Sequence, residues 1–451
     1  MPGIIRRVSR FLRRIARQVL FIGKEKRYKM EYIHLFDTVS HFEDQYDGNG
    51  YQEPWVSYTI ENDEIDYNKK NYREMPLTFE ITSPGIVMWK ASRAMSSAYK
   101  TIYYSLNGGD WIPITSSTGG VSFNVTTGDI VRFKGTNNSY GAFSQYGYGA
   151  RFNGTTAGFI VEGNIMSLIN ADNFQTMDAL TAGTYNFYQI FYGCSGLTSA
   201  KNLILPATSL TNNCYSCMFQ ACTALTSSPK LPASTLKSNC YYAILSGTSA
   251  LPDCTNIHFD DAATVQSLGL AGLFDGTKVT DNDLYRILPK NGNDDYCLPV
   301  TALTGRCYYA MFSGCHFLTK APKLPAQSLA SECYRDMFRD CISLVTPPEL
   351  PATTLAGQCY DGMFSSCTTL TQAPDLPAQT LISSCYRNMF SNASSLNRIK
   401  CLATDVSASS CLSNWVSGVA GTGTFIKAQG MTSWPSGASG IPDGWTVTEV
   451  Q

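Results

Sequence analysis

Residues 333–355, CYRDMFRDCISLVTPPELPATTL, decide how this chain is read. The same order returns 26 residues on as CYDGMFSSCTTLTQAPDLPAQTL from Cys359, and stands 26 residues earlier as CYYAMFSGCHFLTKAPKLPAQSL from Cys307. Two cysteines and a tyrosine would suggest a site if they occurred once. A fixed period gives them a packing role instead, because stacked repeats need the same apolar side chains at the same place in every turn.

Working outward on the Met-Phe pair, units centre at Ile190-Phe191, Met218-Phe219, Ile244-Leu245, Leu273-Phe274, Met311-Phe312, Met337-Phe338, Met363-Phe364, Met389-Phe390 and Trp415-Val416. The terminal units and those around 244–274 are degenerate. The step from Leu273 to Met311 is 38 residues, so one unit carries an insertion near 281–298. A 26-residue period falls in the leucine-rich-repeat range, in which each turn pairs a strand with a helical segment. Cys-Tyr-x-x-Met-Phe is therefore expected to be helical, with Tyr and Met on one face. Leu-Thr-x-Ala-Pro-x-Leu-Pro-Ala is expected to be extended, since each proline biases its predecessor away from helix. The predicted packing residues are Cys307, Tyr308, Met311, Phe312, Cys333, Tyr334, Met337, Phe338, Cys359, Tyr360, Met363, Phe364, Cys385, Tyr386, Met389 and Phe390.

All 16 cysteines of the 451-residue chain lie between Cys194 and Cys411. The two within a unit are eight residues apart, ~12 Å along a helix, beyond the ~6.8 Å that a disulfide spans. Thr248, Thr277 and Ala393 occupy the second-cysteine column. The cysteines are read as buried free thiols acting as small hydrophobes; Cys214-x-x-Cys217 stands alone, with no second such pair to complete a zinc site.

The rest of the chain divides by composition. Residues 1–30 hold ten basic side chains against the single Glu25, a net +9, so the other 421 residues carry −10. Within them, 3–22 read as an amphipathic helix with Arg6, Arg7, Arg10, Arg13, Arg14 and Arg17 around Phe11 and Ile15. Docking onto an acidic protein partner is the favoured use; membrane-surface and nucleic-acid contact are the alternatives. Residues 31–74 are rich in aromatics and acids, with Trp55 opening a strand-like stretch. Residues 75–165 read as a small all-β sandwich, with a hairpin signal at Asn107-Gly108-Gly109. The repeats fill 166–420, and 421–451 are expected to cap them with a closing strand. The fold class expected is thus mixed: basic helix, attachment segment, β sandwich, leucine-rich-repeat solenoid and C-terminal β cap.

Charged residues are 15% of the chain, below the ~25% of ordinary soluble domains. Val19-Leu20-Phe21-Ile22 is too short for a signal-peptide core, with Lys24 and Lys26 where small residues belong. No stretch nears the ~18 apolar residues of a membrane span. The four histidines, His34, His41, His258 and His316, have no motif partners, and Asp260-Asp261 and Asp294-Asp295 read as solvated turns. No catalytic, cofactor or metal site is expected.

The unit CYxxMFxxCxxLTxAPxLPAxxL resembles the BspA-like leucine-rich repeats of Bacteroidetes surface proteins and of the phages that infect those bacteria. Residues 31–59 resemble the N-terminal attachment segment of crAss-like phage virion proteins, and Ser439–Val447 (SGIPDGWTV) resembles their shared C-terminal ending. The resemblance implies a virion appendage such as a head fibre, with Arg6–Arg17 and Trp55 docking onto other virion proteins. It also implies a homo-oligomer, a trimer being favoured, made in a reducing bacterial cytoplasm. The repeats would then meet a host-surface protein or glycan. The competing expectation is a bacterial surface adhesin. Where units vary, the candidate ligand face is Arg335, Asp336, Arg339, Asp340, Asp361 and Arg387.

Overall fold

The computed structural model describes residues 70–92, 98–141, 149–180, 183–233, 235–250, 264–265, 269–288, 290–291, 295–298 and 302–450. The expected basic helix, most of the 31–74 segment, Trp55, His34, His41 and His258 lie outside them. Lys70–Gln451 form one compact unit.

Alternating apolar residues and tight turns build its first part. Nine strands run in order: β1 (Leu77–Ser83), β2 (Gly85–Ala91), β3 (Thr101–Leu106), β4 (Ile112–Thr115), β5 (Val121–Val125), β6 (Ile130–Lys134), β7 (Ala150–Arg151), β8 (Gly158–Asn164) and β9 (Leu197–Ile204). Asn107 and Gly108 take φ of 51° and 78° and fold β3 back onto β4, the left-handed pair that such a hairpin turn requires. The strands form a six-stranded sheet, β4-β3-β6-β1-β8-β9, and a three-stranded sheet, β5-β2-β7. Phe79 on β1 lies 4.7, 4.8 and 4.3 Å from the rings of Phe133, Phe152 and Phe159. Trp89 on β2 joins the same cluster through Phe152 at 4.8 Å. The six-stranded sheet does not end at 165: β9, from the repeat region, pairs parallel with β8.

The expected leucine-rich-repeat solenoid is not what forms, and with it the fold class read from the sequence is corrected. The described residues are mostly β, in five small sheets of two to six strands, none of them closed. They contain one α-helix, α1 (Asp281–Ile287), which lies in the insertion and not in the repeat. Cys-Tyr-x-x-Met-Phe is a run of turns. Glu332, Asp336 and Asp340 have φ of 56°, 54° and 57°, and a left-handed residue at every fourth position is incompatible with an α-helix.

Two sets of bonds hold this ribbon. The amides of Cys333, Arg335, Met337, Arg339 and Cys341 each donate to the carbonyl three residues back, at 3.1–3.3 Å. The alternate amides of Glu332, Tyr334, Asp336, Phe338 and Asp340 donate to Gly357, Cys359, Asp361, Met363 and Ser365 of the next unit, at 2.8–3.1 Å. Every amide from 332 to 341 is thereby satisfied, half within its unit and half across it.

The extended half of the unit fails to make long strands for a different reason. Prolines carry no amide hydrogen, so the x-Ala-Pro-x-Leu-Pro-Ala segments meet only at isolated parallel bridges such as Lys320↔Thr346 and Ser328↔Thr354. Elsewhere Thr235–Leu236 (β10) pairs with Thr264–Val265 (β11), and Lys290–Asn291 (β12) with Asp295–Tyr296 (β13). Where the sequence turns to Arg-Ile-Lys-Cys without proline, a continuous strand appears, β14 (Arg398–Cys401). Strands β15 (Thr424–Lys427) and β16 (Thr446–Glu449) add to it in parallel. The C-terminal segment thus adds two parallel layers to the stack, the last of them the expected closing strand.

The insertion leaves the stack intact. The Phe274 amide donates to Met311 O at 2.9 Å across the 38-residue step. The rings of Phe274 and Phe312 lie 5.7 Å apart and nearly parallel. Helix α1 begins with a capping box between Thr280 and Asp283, and Asp281 accepts hydrogen bonds from the Thr319 and Lys320 amides at 2.9 and 3.1 Å.

Candidate functional site

The predicted packing residues form columns that run through the stack. All sixteen are buried. Phe312, Phe338, Phe364 and Phe390 stack at 5.6, 5.7 and 5.6 Å. Tyr308, Tyr334, Tyr360 and Tyr386 stack at 6.0, 6.0 and 6.1 Å and end on Trp415 at 6.2 Å, spacings within the favourable range for offset rings. Fourteen of the described cysteines are free and buried, and Cys297 is half-buried. Burial pushes the Cys333 thiol up to about 12 and Tyr334 well above its ordinary value, so both stay protonated.

The second cysteine also has a role that the sequence reading did not assign. Cys341 Sγ donates to Phe312 O and Cys367 Sγ to Phe338 O, each at 3.0 Å, and Cys315 Sγ to Phe274 O at 3.1 Å. A small side chain with a donor ties each unit to the one before it. Thr248 fills the column with its hydroxyl turned to Leu245 O at 2.7 Å.

The six candidate ligand residues come together in one row of ion pairs. Arg387 Nη2 lies 2.6 Å from Asp361 Oδ2, and Arg335 Nε lies 3.5 Å from the same oxygen. Arg335 also contacts Asp336 at 3.3 Å and sits 5.6 Å over the Tyr309 ring. Arg339 reaches Asp336 at 3.5 Å and Asp340 at 3.4 Å. Two members were missed: Glu332, which takes Arg306 at 2.6 Å and Arg335 at 2.9 Å, and Arg306 itself. Their signal was in the sequence, because Arg306/Glu332 and Arg335/Asp361/Arg387 are opposite charges exactly one period apart.

The row is balanced, with four arginines against four carboxylates. Burial opposes ionisation of Glu332, but Arg306 and Arg335 hold its carboxyl below the usual range. At Asp336 burial wins over Arg335 and Arg339 and raises the carboxyl. Asp361, with 3% of its side chain exposed, is enclosed by its two arginines. These charges are spent on one another across the units, which makes the row an internal clamp more than an open grip for a charged ligand. Arg306, Arg339 and Asp340 form its exposed rim.

Other predicted residues are not brought together. His316 is exposed. Arg6, Arg7, Arg10, Phe11, Arg13, Arg14, Ile15, Arg17 and Trp55 lie outside the described residues, as do Asp260, Asp261 and Asp294. Among the described residues no group of three His, Cys, Asp or Glu could hold a metal ion, and no helix is long and apolar enough to cross a membrane. Comparison with family models, with curated proteins and with solved structures finds no match.

Proposed function

We propose that the chain is a structural protein of a phage particle, a head fibre or similar appendage, that displays its repeat region for adhesion to a protein or glycan on a host or mucosal surface. The observation that carries this reading is the basic arm of residues 1–30, net +9, set against a repeat region whose recurring Cys, Tyr, Met and Phe side chains are buried while Arg306, Arg339 and Asp340 stand exposed. One end has the composition for docking onto an acidic protein partner; the other offers a repetitive polar surface. The likeness of 31–59 and Ser439–Val447 to crAss-like phage virion proteins, and of the unit to BspA-like repeats, supports the same assignment. Docking falls to Arg6, Arg7, Arg10, Phe11, Arg13, Arg14, Ile15, Arg17 and Trp55, and the appendage is proposed to be a homo-oligomer.

The test is the protein content of purified particles. The chain is expected in the virion at fixed stoichiometry, and its removal from recombinant particles is expected when residues 1–30 are deleted. Absence from the particle, with the chain recovered in a bacterial outer-membrane fraction, would overturn the proposal in favour of a cell-surface adhesin.

A further inference from the structure

The ladder has a second outward row, made by the two residues after each Pro-Ala, Gln327-Ser328, Thr353-Thr354 and Gln379-Thr380, and by Thr404-Asp405, which follows Leu402-Ala403 in the same register. All eight are exposed. Parallel bridges put Ser328 beside Thr354 and Thr380 beside Asp405. Between the second and third units the row opens into a shallow groove of about 380 Å³, lined by Thr353, Thr354, Leu355, Pro377, Gln379, Thr380 and Ile382.

Two features of this groove distinguish it from the ion-pair row. Its lining contains no charged side chain. Its polar side chains are also unspent: none of those of Thr353, Thr354, Gln379 and Thr380 hydrogen-bonds another described residue, and neither does that of Gln327 or Ser328 in the preceding unit. Nearby hydroxyls on the same surface are engaged; Thr369 Oγ1 donates to Ile342 O at 2.9 Å and Ser331 Oγ to Gly357 O at 3.3 Å.

We propose that this groove is a binding site for a neutral oligosaccharide lying along the stack. A hydroxyl-rich, uncharged ligand matches free hydroxyls and a carboxamide, each able to donate and accept. Leu355, Pro377 and Ile382 offer an aliphatic floor for the C–H face of a sugar ring. A charged glycan or peptide would find no counter-ion in the lining. Successive units are a strand spacing apart, ~4.8 Å, close to the length of one sugar residue, so an extended chain would meet a pair of uncharged polar side chains at each of Gln327-Ser328, Thr353-Thr354 and Gln379-Thr380. This inference rests on the adhesive part of the proposed function and names its ligand and place.

The experiment is titration calorimetry of the full chain with linear neutral oligosaccharides of one to six residues, built separately from glucose, xylose and N-acetylglucosamine, with a sialylated trisaccharide and an extended Ser/Thr-rich peptide as competitors. At least one neutral series is expected to bind, with affinity rising from one residue to about four and then levelling. The double variant Thr354→Val, Thr380→Val is expected to weaken it at least tenfold at unchanged melting temperature, while Arg339→Ala leaves it unchanged. Gln379→Ala, also exposed, is expected to weaken it several-fold. Binding to no neutral series, binding of the sialylated sugar or the peptide alone, or full affinity in the double variant would overturn the proposal. These readings use purified chain, so they stand apart from whether the chain is found in the particle.

Discussion

The sheet region around Phe79 and the turn ladder around Phe338 both bury a phenylalanine completely, yet they build its surroundings in opposite ways. Phe79 is held by rings arriving from β6, β8 and residue 152, at interplanar angles from 23° to 63°. Phe338 is held by copies of itself, Phe312 and Phe364, at 5° and 9°. In the first region each partner is a different solution to a different gap. In the second, one solution is repeated, and an error in one unit is felt by the units on either side and by few others.

Phe338→Ala is the strongest way to break that comparison. It removes a ring stacked on both faces and is expected to cost ~3–5 kcal/mol, the range for a buried phenylalanine. Phe79→Ala is expected to cost a similar amount. The difference should appear in hydrogen exchange: Phe338→Ala is expected to lose amide protection in 307–390 and keep it in β1, β6 and β8, and Phe79→Ala the reverse. Equal loss everywhere in both variants would mean that the two regions open as one.

Gly362→Ala tests the ladder backbone, with a smaller expected effect. Gly362 has φ +64°, and a Cβ there would press on the Asp336 carboxylate. Gly247 has φ +70° and only ordinary contacts at 3.6 Å. Left-handed strain alone costs ~1–3 kcal/mol, so Gly247→Ala is expected near the bottom of that range by chemical denaturation and Gly362→Ala higher within it, by what it takes to turn the Asp336 carboxylate away from Arg335 and Arg339. A Gly362→Ala, Asp336→Ala double variant should recover the difference.

How much of this was legible beforehand differs between the regions for a physical reason. The columns of Tyr, Met, Phe and Cys could be read because burial at a fixed period forces the same residue types back to the same place. The local conformation could not. Tyr334 and Met337, three apart, suit a helix face and a run of turns equally well, and periodicity says nothing about the sign of φ at Asp336. Glu332, Asp336 and Asp340 carry side chains that do not demand the left-handed region, whereas Gly314, Gly362 and Gly418 in equivalent columns did hint at it. The charged row was half read: the variable residues within a unit were noticed, the pairing of Arg306 with Glu332 one period away was not. The free Thr and Gln row stayed hidden, because only coordinates tell an engaged hydroxyl from an idle one.

The cysteines give a probe that only the ladder carries, since none precedes Cys194. Cys341→Ala removes the donor to Phe312 O and is expected to cost about 1 kcal/mol, the size of one hydrogen bond. With most thiols buried and raised by burial, the folded chain should react with a thiol reagent far more slowly than the unfolded chain. Under mild denaturant, labelling is expected to quicken in Phe338→Ala and to stay slow in Phe79→Ala. Labelling that quickens equally in both would erase the distinction between the two regions.

The smallest expected effect is on pH dependence, and it isolates the charged row from the apolar columns. Glu332 is held below its ordinary value of 4.5 by Arg306 and Arg335, against the effect of burial. A carboxyl depressed on folding contributes stability that is present above its unfolded pKa and lost as pH falls through its folded one. The melting temperature of the ladder should therefore begin to drop below about pH 4.5. Glu332→Gln should lower the melting temperature slightly at pH 7 and flatten that acid limb. Asp336 acts with the opposite sign: its carboxyl is raised by burial, so protonating it relieves an unfavourable charge and offsets part of the loss. Asp336→Asn is then expected to steepen the acid limb that Glu332→Gln flattens. If both variants shifted it the same way, the two carboxylates could not hold the opposite places in the clamp that their neighbours give them.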